Sequence, residues 1–245
     1  MTFCHSSEAP VRLYSSARLR RAREERATTI GIVTDYTRVE RLALCDLFDQ
    51  VGPAQPTLCE GWDTYDLAVH LYVREADPMA GPGIVIPSLA DTTERRMKRA
   101  KERYSFAEVV NKVRNGPPTA SIFAVPKFGP QLNITEYFVH HEDVRRAQPS
   151  YDVRTLPAEQ QAGLWKAVRL ASKSITRKSP SGLVLRLPDG TTSVAKRPTE
   201  LGSVTVTGEP SELVLFCFGR QRVADVQCEG DAETVDRLRN ASFGV

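Results

Sequence analysis

The sequence predicts an α+β protein in which a helical bundle is followed by a small α+β domain, and three observations carry that expectation. Up to about residue 178 the apolar residues recur at helical spacing. From Gly182 the pattern changes to short β-rich runs around a Pro188-Asp189-Gly190 turn. The chain has 245 residues, 41% hydrophobic and 26% charged, enough to bury one large core or two modest ones. The expected division is a disordered N-terminal extension over 1–33, a bundle over 34–178 and an α+β domain over 179–245.

The extension is set apart by charge. Residues 1–32 hold six Arg, no Lys and three Glu, which is the whole net charge of +3; the remaining chain carries 27 basic and 27 acidic side chains. A neutral body argues against nucleic acid as the main partner. The Arg-rich opening lacks the apolar segment of a secretory signal, and Glu8, Glu24 and Glu25 interrupt any likeness to a transit peptide. No run approaches the ~20 apolar residues of a membrane helix. The five cysteines (4, 45, 59, 217 and 228) are odd in number and form no C-x-x-C pair, so a reducing cytoplasm is expected.

The first helix follows from Leu44, Leu47, Phe48 and Val51 at i, i+3, i+4 and i+7, and Gly52-Pro53 ends it. Asp63 is placed to cap a second, with Asp66 completing an approximate capping box. On that helix Leu67, His70 and Leu71 share one face. Residues 77–87, rich in Pro and Gly, read as a loop. A charged stretch from about Ala90 to Val113 reads as one helix with a solvated face, broken by Gly116-Pro117-Pro118. Residues 119–131 read as loop, the fourth helix as Asn133–Ala147, and the fifth as Leu156–Ser174 with Leu164, Val168 and Ala171 inward. Strands are expected at 182–187, 192–196, 204–207 and 224–228, an apolar helix at 211–219 and a closing helix at 232–241.

Residues 133–147 carry the chemistry. Glu136, His140 and Asp143, at i, i+4 and i+7, stack on one helical face beside apolar residues. Neutral imidazole and carboxylate oxygen are ordinary ligands for zinc and similar divalent ions. His70 from the second helix would meet Glu136 and His140 in the bundle interior, as metal sites in bundles are built from facing helices. Each residue also has a plainer reading: His70 as a hydrogen-bonded core histidine, Glu136 and His140 as a surface i,i+4 pair. Asp143 suits the orientation of an imidazole better than direct ligation. His141, about 100° round from His140, is an alternate ligand only if the helix departs from regularity, and with Glu142 it reads as solvated. Cys59 precedes the same helix as His70; it is a candidate neighbour of the site or a buried structural thiol. Arg145 and Arg146 are candidates for an anionic substrate or for a helix C-terminus.

Gly61-Trp62-Asp63, Asp66-Leu67, His70-Leu71 and Glu136-x-x-x-His140-x-x-Asp143-Val144 with Ala147 resemble the metal-binding bundle of the DinB/YfiT-like superfamily. More closely they resemble the mycothiol-dependent maleylpyruvate isomerases of actinobacteria. Gly208-Glu-Pro-Ser-Glu-Leu-Val-Leu-Phe-Cys-Phe-Gly-Arg220 is similar to the sterol-carrier-like C-terminal domain that accompanies that bundle. The resemblance spans about residues 34–245. It implies a four-helix bundle, zinc on His70, Glu136 and His140, and thiol-dependent isomerisation or S-transfer with mycothiol and an electrophilic small molecule as partners. The run His-His-Glu-Asp at 140–143 carries extra polar residues after the ligand histidine, which sets this chain apart and leaves the maleylpyruvate substrate open. The contrasting expectation is a non-catalytic metal-binding protein, or one that holds a small apolar ligand in its C-terminal domain.

Overall fold

The element that determines the architecture is the helix around His140, because it is buried on both sides. The structure, a computed structural model, describes residues 35–76, 90–125 and 129–243. The expected disordered extension and the 77–87 loop lie outside these. Among the described residues are eight α-helices and one four-stranded sheet. Helix α1 is Tyr36–Val51, α2 Thr64–Ala76, α3 Ala90–Arg103, α4 Phe106–Arg114 and α5 Gly129–Arg145. Then come α6 Ala158–Ile175, β1 Gly182–Arg186, β2 Thr192–Lys196, β3 Ser203–Thr207, α7 Pro210–Cys217, β4 Gln227–Glu229 and α8 Ala232–Arg239.

Local chemistry explains most of these bounds. The Asp63 carboxylate accepts from the Asp66 backbone N–H at 2.8 Å, capping α2 as expected. The charged stretch is two helices rather than one. Ser105 and Glu108 form a capping box that starts α4, so the chain turns after Arg103 and lays Val109, Val110 and Val113 into the core. Ser121 caps a short 3-10 turn at Ile122–Ala124 within the expected loop.

The hairpin forms as the Pro-Asp-Gly turn requires: β1 and β2 are antiparallel, with Val184 opposite Val194. β3 then joins β1 in parallel, with Leu185 opposite Val206, and β4 pairs antiparallel with β3, giving the order β2-β1-β3-β4.

Two hydrophobic clusters result. One joins Leu44, Phe48, Leu67, Leu71, Val109, Val110, Val113, Tyr137 and Val144. The other joins Phe138, Val139, Leu164, Val168, the inner residues of β1 and β3, and Leu213–Cys217 of α7. Helix α5 supplies residues to both, Tyr137 and Val144 to the first and Phe138 and Val139 to the second. From Asn133 to Arg145 this helix has no exposed residue, so each polar side chain there needs a partner inside the protein. Among the described residues, no helix is long and apolar enough to cross a membrane.

Candidate metal centre

His70 from α2 and Glu136 and His140 from α5 converge. His70 Nε2 lies 3.1 Å from Glu136 Oε1, and His140 Nε2 lies 3.3 Å from the same oxygen. One ligand atom from each of the three falls within 4.8 Å of those of the other two. Ligands on a tetrahedral zinc at ~2.1 Å stand about 3.4 Å apart, so the spacing suits a divalent ion. All three side chains are buried or nearly so.

The donor set also fits such an ion. Asp143 Oδ2 sits 2.9 Å from His140 Nδ1. Burial pushes the Asp143 carboxyl up, but His140 and Arg220 outweigh it and hold it at about 2, so it is an acceptor only. His140 Nδ1 therefore carries a proton and donates it. In the neutral ring Nε2 then presents a lone pair to Glu136, which is likewise an acceptor. Burial alone would raise Glu136, yet Arg74, His140 and His70 hold it well below the usual carboxylate range. Two acceptors facing each other need a cation between them, or a second proton on His140. Without metal the second arises: burial favours the neutral ring, but Asp143, Cys59 and Glu136 overcome it and raise His140 well above the usual imidazole value. At His70 burial prevails, assisted by the His140 charge, and the ring is held toward neutral. Carboxylate, imidazole and metal in sequence is the usual way to orient a metal-binding histidine.

The site has further walls. The half-buried Trp62 ring lies 5.0 Å from His70, and the His70 and His140 rings meet edge-on at 5.2 Å. Arg74 Nε is 3.3 Å from Glu136 Oε1, and its guanidinium covers Phe123 at 4.3 Å. Arg74 follows His70 by one helical turn, a spacing that would have pointed to it. Arg220 reaches Asp143 from beyond α7, with Nε 2.7 Å from Oδ1 and Nη2 2.5 Å from Oδ2. Its aim follows from a Schellman ending. Gly219 at φ +89° closes α7, and the Arg220 N–H donates to Leu215 O at 2.9 Å. Cys59 also stands at the site, Sγ 3.3 Å from Asp143 Oδ2, its segment held by a bond from Leu58 N–H to Asp143 O at 3.1 Å.

Other expectations for α5 are corrected. His141 is neither solvated nor an alternate ligand; it faces α1, where Nδ1 lies 2.7 Å from Glu40 Oε2. Arg154 and Gln160 also bind Glu40. Glu142 and Arg146 are buried too: Arg146 Nε is 2.6 Å from Glu142, and its Nη2 is 2.6 Å from Glu212 on α7. Arg146 is thereby committed to an internal network rather than to an anionic substrate, while Arg145 pairs with Glu142 at 2.9 Å. The reason is the double burial of α5, which removes the wet face that these residues were expected to occupy. Compared with models of protein families, with curated proteins and with solved structures, the chain gives no match.

Proposed function

We propose that this chain is a divalent-metal protein, with zinc the first expectation, that works with a low-molecular-weight thiol. The observation that supports it is the approach of two imidazole nitrogens to one carboxylate oxygen at ligand spacing, with Asp143 fixing the His140 tautomer. The ligands are His70, Glu136 and His140. An ion held by these three side chains would leave room for a thiol and would supply the positive charge that keeps its sulfur ionised near neutral pH. The chain's own groups do the rest: Asp143 orients His140, Arg74 balances the Glu136 charge, and Trp62 shields His70 from solvent. With an electrophilic small molecule as the second partner, the outcome is isomerisation or S-transfer. Mycothiol, a DinB-type bundle and a sterol-carrier-like C-terminal region complete the reading, on the sequence resemblance.

The test is metal content of the purified protein by mass spectrometry, wild type beside His70→Ala, followed by titration of the loaded protein with thiol. About one zinc per chain, lost in the variant, is expected for three protein ligands on one ion. No metal in wild type after reconstitution with zinc refutes the site. Loading without any thiol-dependent change in the metal's environment refutes the thiol chemistry and keeps a metal-binding protein.

A further inference from the structure

The His140 ring stands between two donor sets rather than one. Its Nε2 faces His70 and Glu136, while its Nδ1 faces Asp143 Oδ2 at 2.9 Å and Cys59 Sγ at 3.9 Å. Cys59 Sγ and Asp143 Oδ2 are 3.3 Å apart, so thiol, imidazole and carboxylate also lie at metal-ligand spacing. A neutral imidazole has one lone pair, so a divalent ion takes one set or the other. By ligand softness the set with a thiolate should win for zinc. Something must therefore hold it closed.

Arg220 is placed to do so. Its guanidinium contacts both Asp143 oxygens and puts Nη2 3.3 Å from Cys59 Sγ, so a cation already sits against two of the three donors. A further donation to Phe218 O at 2.5 Å fixes it there. A fixed positive charge at that range repels an arriving divalent ion. Held ionised beside Arg220, Asp143 accepts the hydrogen bond from His140 Nδ1–H, which keeps the proton on Nδ1 and leaves the Nε2 lone pair to the other set.

We propose that Arg220 selects the metal position: acting through Asp143, it closes the Cys59–His140–Asp143 set and commits His140 Nε2 to His70 and Glu136. The proposal rests on the reading of His140 as a metal ligand. It makes Arg220 a positioning residue, contributed by the region after α7 to a site otherwise built from α2, α5 and the Cys59 segment.

Cobalt(II) provides the test, since zinc's filled d shell is optically silent and a cobalt–thiolate bond gives an intense near-ultraviolet charge-transfer band. Wild type with Co(II) is expected to show ligand-field bands without the thiolate band, and to lose them in His70→Ala. Arg220→Gln is expected to gain the thiolate band, which persists with His70→Ala added and vanishes with Cys59→Ala added. Arg220→Lys restores the wild-type spectrum. Arg220→Met, which keeps the length of the stem, serves if the glutamine variant fails a thermal-melt check of folding. A thiolate band already present in wild type overturns the selection, as does its absence from a folded Arg220→Gln or Arg220→Met. Cobalt held with the thiolate band in Arg220→Gln, but not held by wild type, upholds closure by Arg220 and overturns the His70–Glu136–His140 reading.

Discussion

Asp143→Asn is the most informative single change, because four donors converge on this carboxylate. Oδ2 receives His140 Nδ1 at 2.9 Å, Arg220 Nη2 at 2.5 Å and Cys59 Sγ at 3.3 Å, and Oδ1 receives Arg220 Nε at 2.7 Å. Asparagine keeps one acceptor oxygen and replaces the other by an NH2 group. The better rotamer leaves the oxygen toward His140 and sets the amide against Arg220 Nε, donor against donor. The side chain of Asp143 is fully buried and that of Arg220 is 11% exposed, so the pair has little solvent to replace it. Losing one partner of a buried pair costs about 3–5 kcal/mol, which urea melts of the metal-free variant would read. His140 keeps an acceptor at Nδ1, a weaker neutral one. Zinc affinity should therefore fall about 10- to 100-fold, as for other lost supports of a metal-binding histidine. A competition titration against a chromogenic chelator measures that ratio. Unchanged affinity would refute the orienting role, and a loss as complete as that of His140→Ala would make Asp143 a ligand itself.

Arg146→Met should destabilise by about 3–5 kcal/mol in urea melts, since it leaves Glu212 with only the Asp225 N–H among its bonds to Arg146 and backbone. A loss near zero would mean that the pair is no better than the apolar contact replacing it. Glu40, Glu142 and Asp143 all titrate below their ordinary values: in each, burial works upward and the bonded partners outweigh it, the His141 hydrogen bond and Arg154 at Glu40, Arg154 and Arg146 at Glu142, His140 and Arg220 at Asp143. A depressed carboxylate stabilises the fold fully above its unfolded pKa and loses that contribution as pH falls through the folded one. The melting temperature should thus fall as the pH drops from about 5 through about 4, an interval in which the raised His140 is already fully charged; a rise over that interval would contradict these directions. Gly219→Ala puts a Cβ 2.7 Å from Phe243 O at a backbone φ of +89°. It should cost about 1–3 kcal/mol by denaturant titration, and a neutral result would show that the turn before Arg220 tolerates a side chain.

The sequence made the local half of this site legible. Glu136 and His140 share a face because they are four apart, and His70 points inward because it lies between leucines on its own helix; two such helices facing each other bring the three together. Arg220 was not legible, since 77 residues of chain separate it from Asp143 and only the fold brings them into contact. Its single local sign was Gly219, the left-handed residue that reverses the chain after an apolar helix. His141, Glu142 and Arg146 were misread for a different reason. A helix taken to be amphipathic is granted a wet side, and α5 lies between two cores. The break before α4 was readable from Ser105 and Glu108, but the surrounding run of charges looked like uninterrupted helix.

That position of α5 also bears on how the protein comes apart. Tyr137 and Phe138 are neighbours in sequence yet belong to different cores, so loosening either core withdraws support from the same two turns of helix. The network from Glu40 through Arg154 and Glu142 to Arg146 and Glu212 crosses the same seam. Melting of the two cores should accordingly be a single cooperative event, with equal calorimetric and van't Hoff enthalpies. A fragment ending near residue 178 would expose Phe138, Leu164 and Val168 and aggregate, even though its helices are complete.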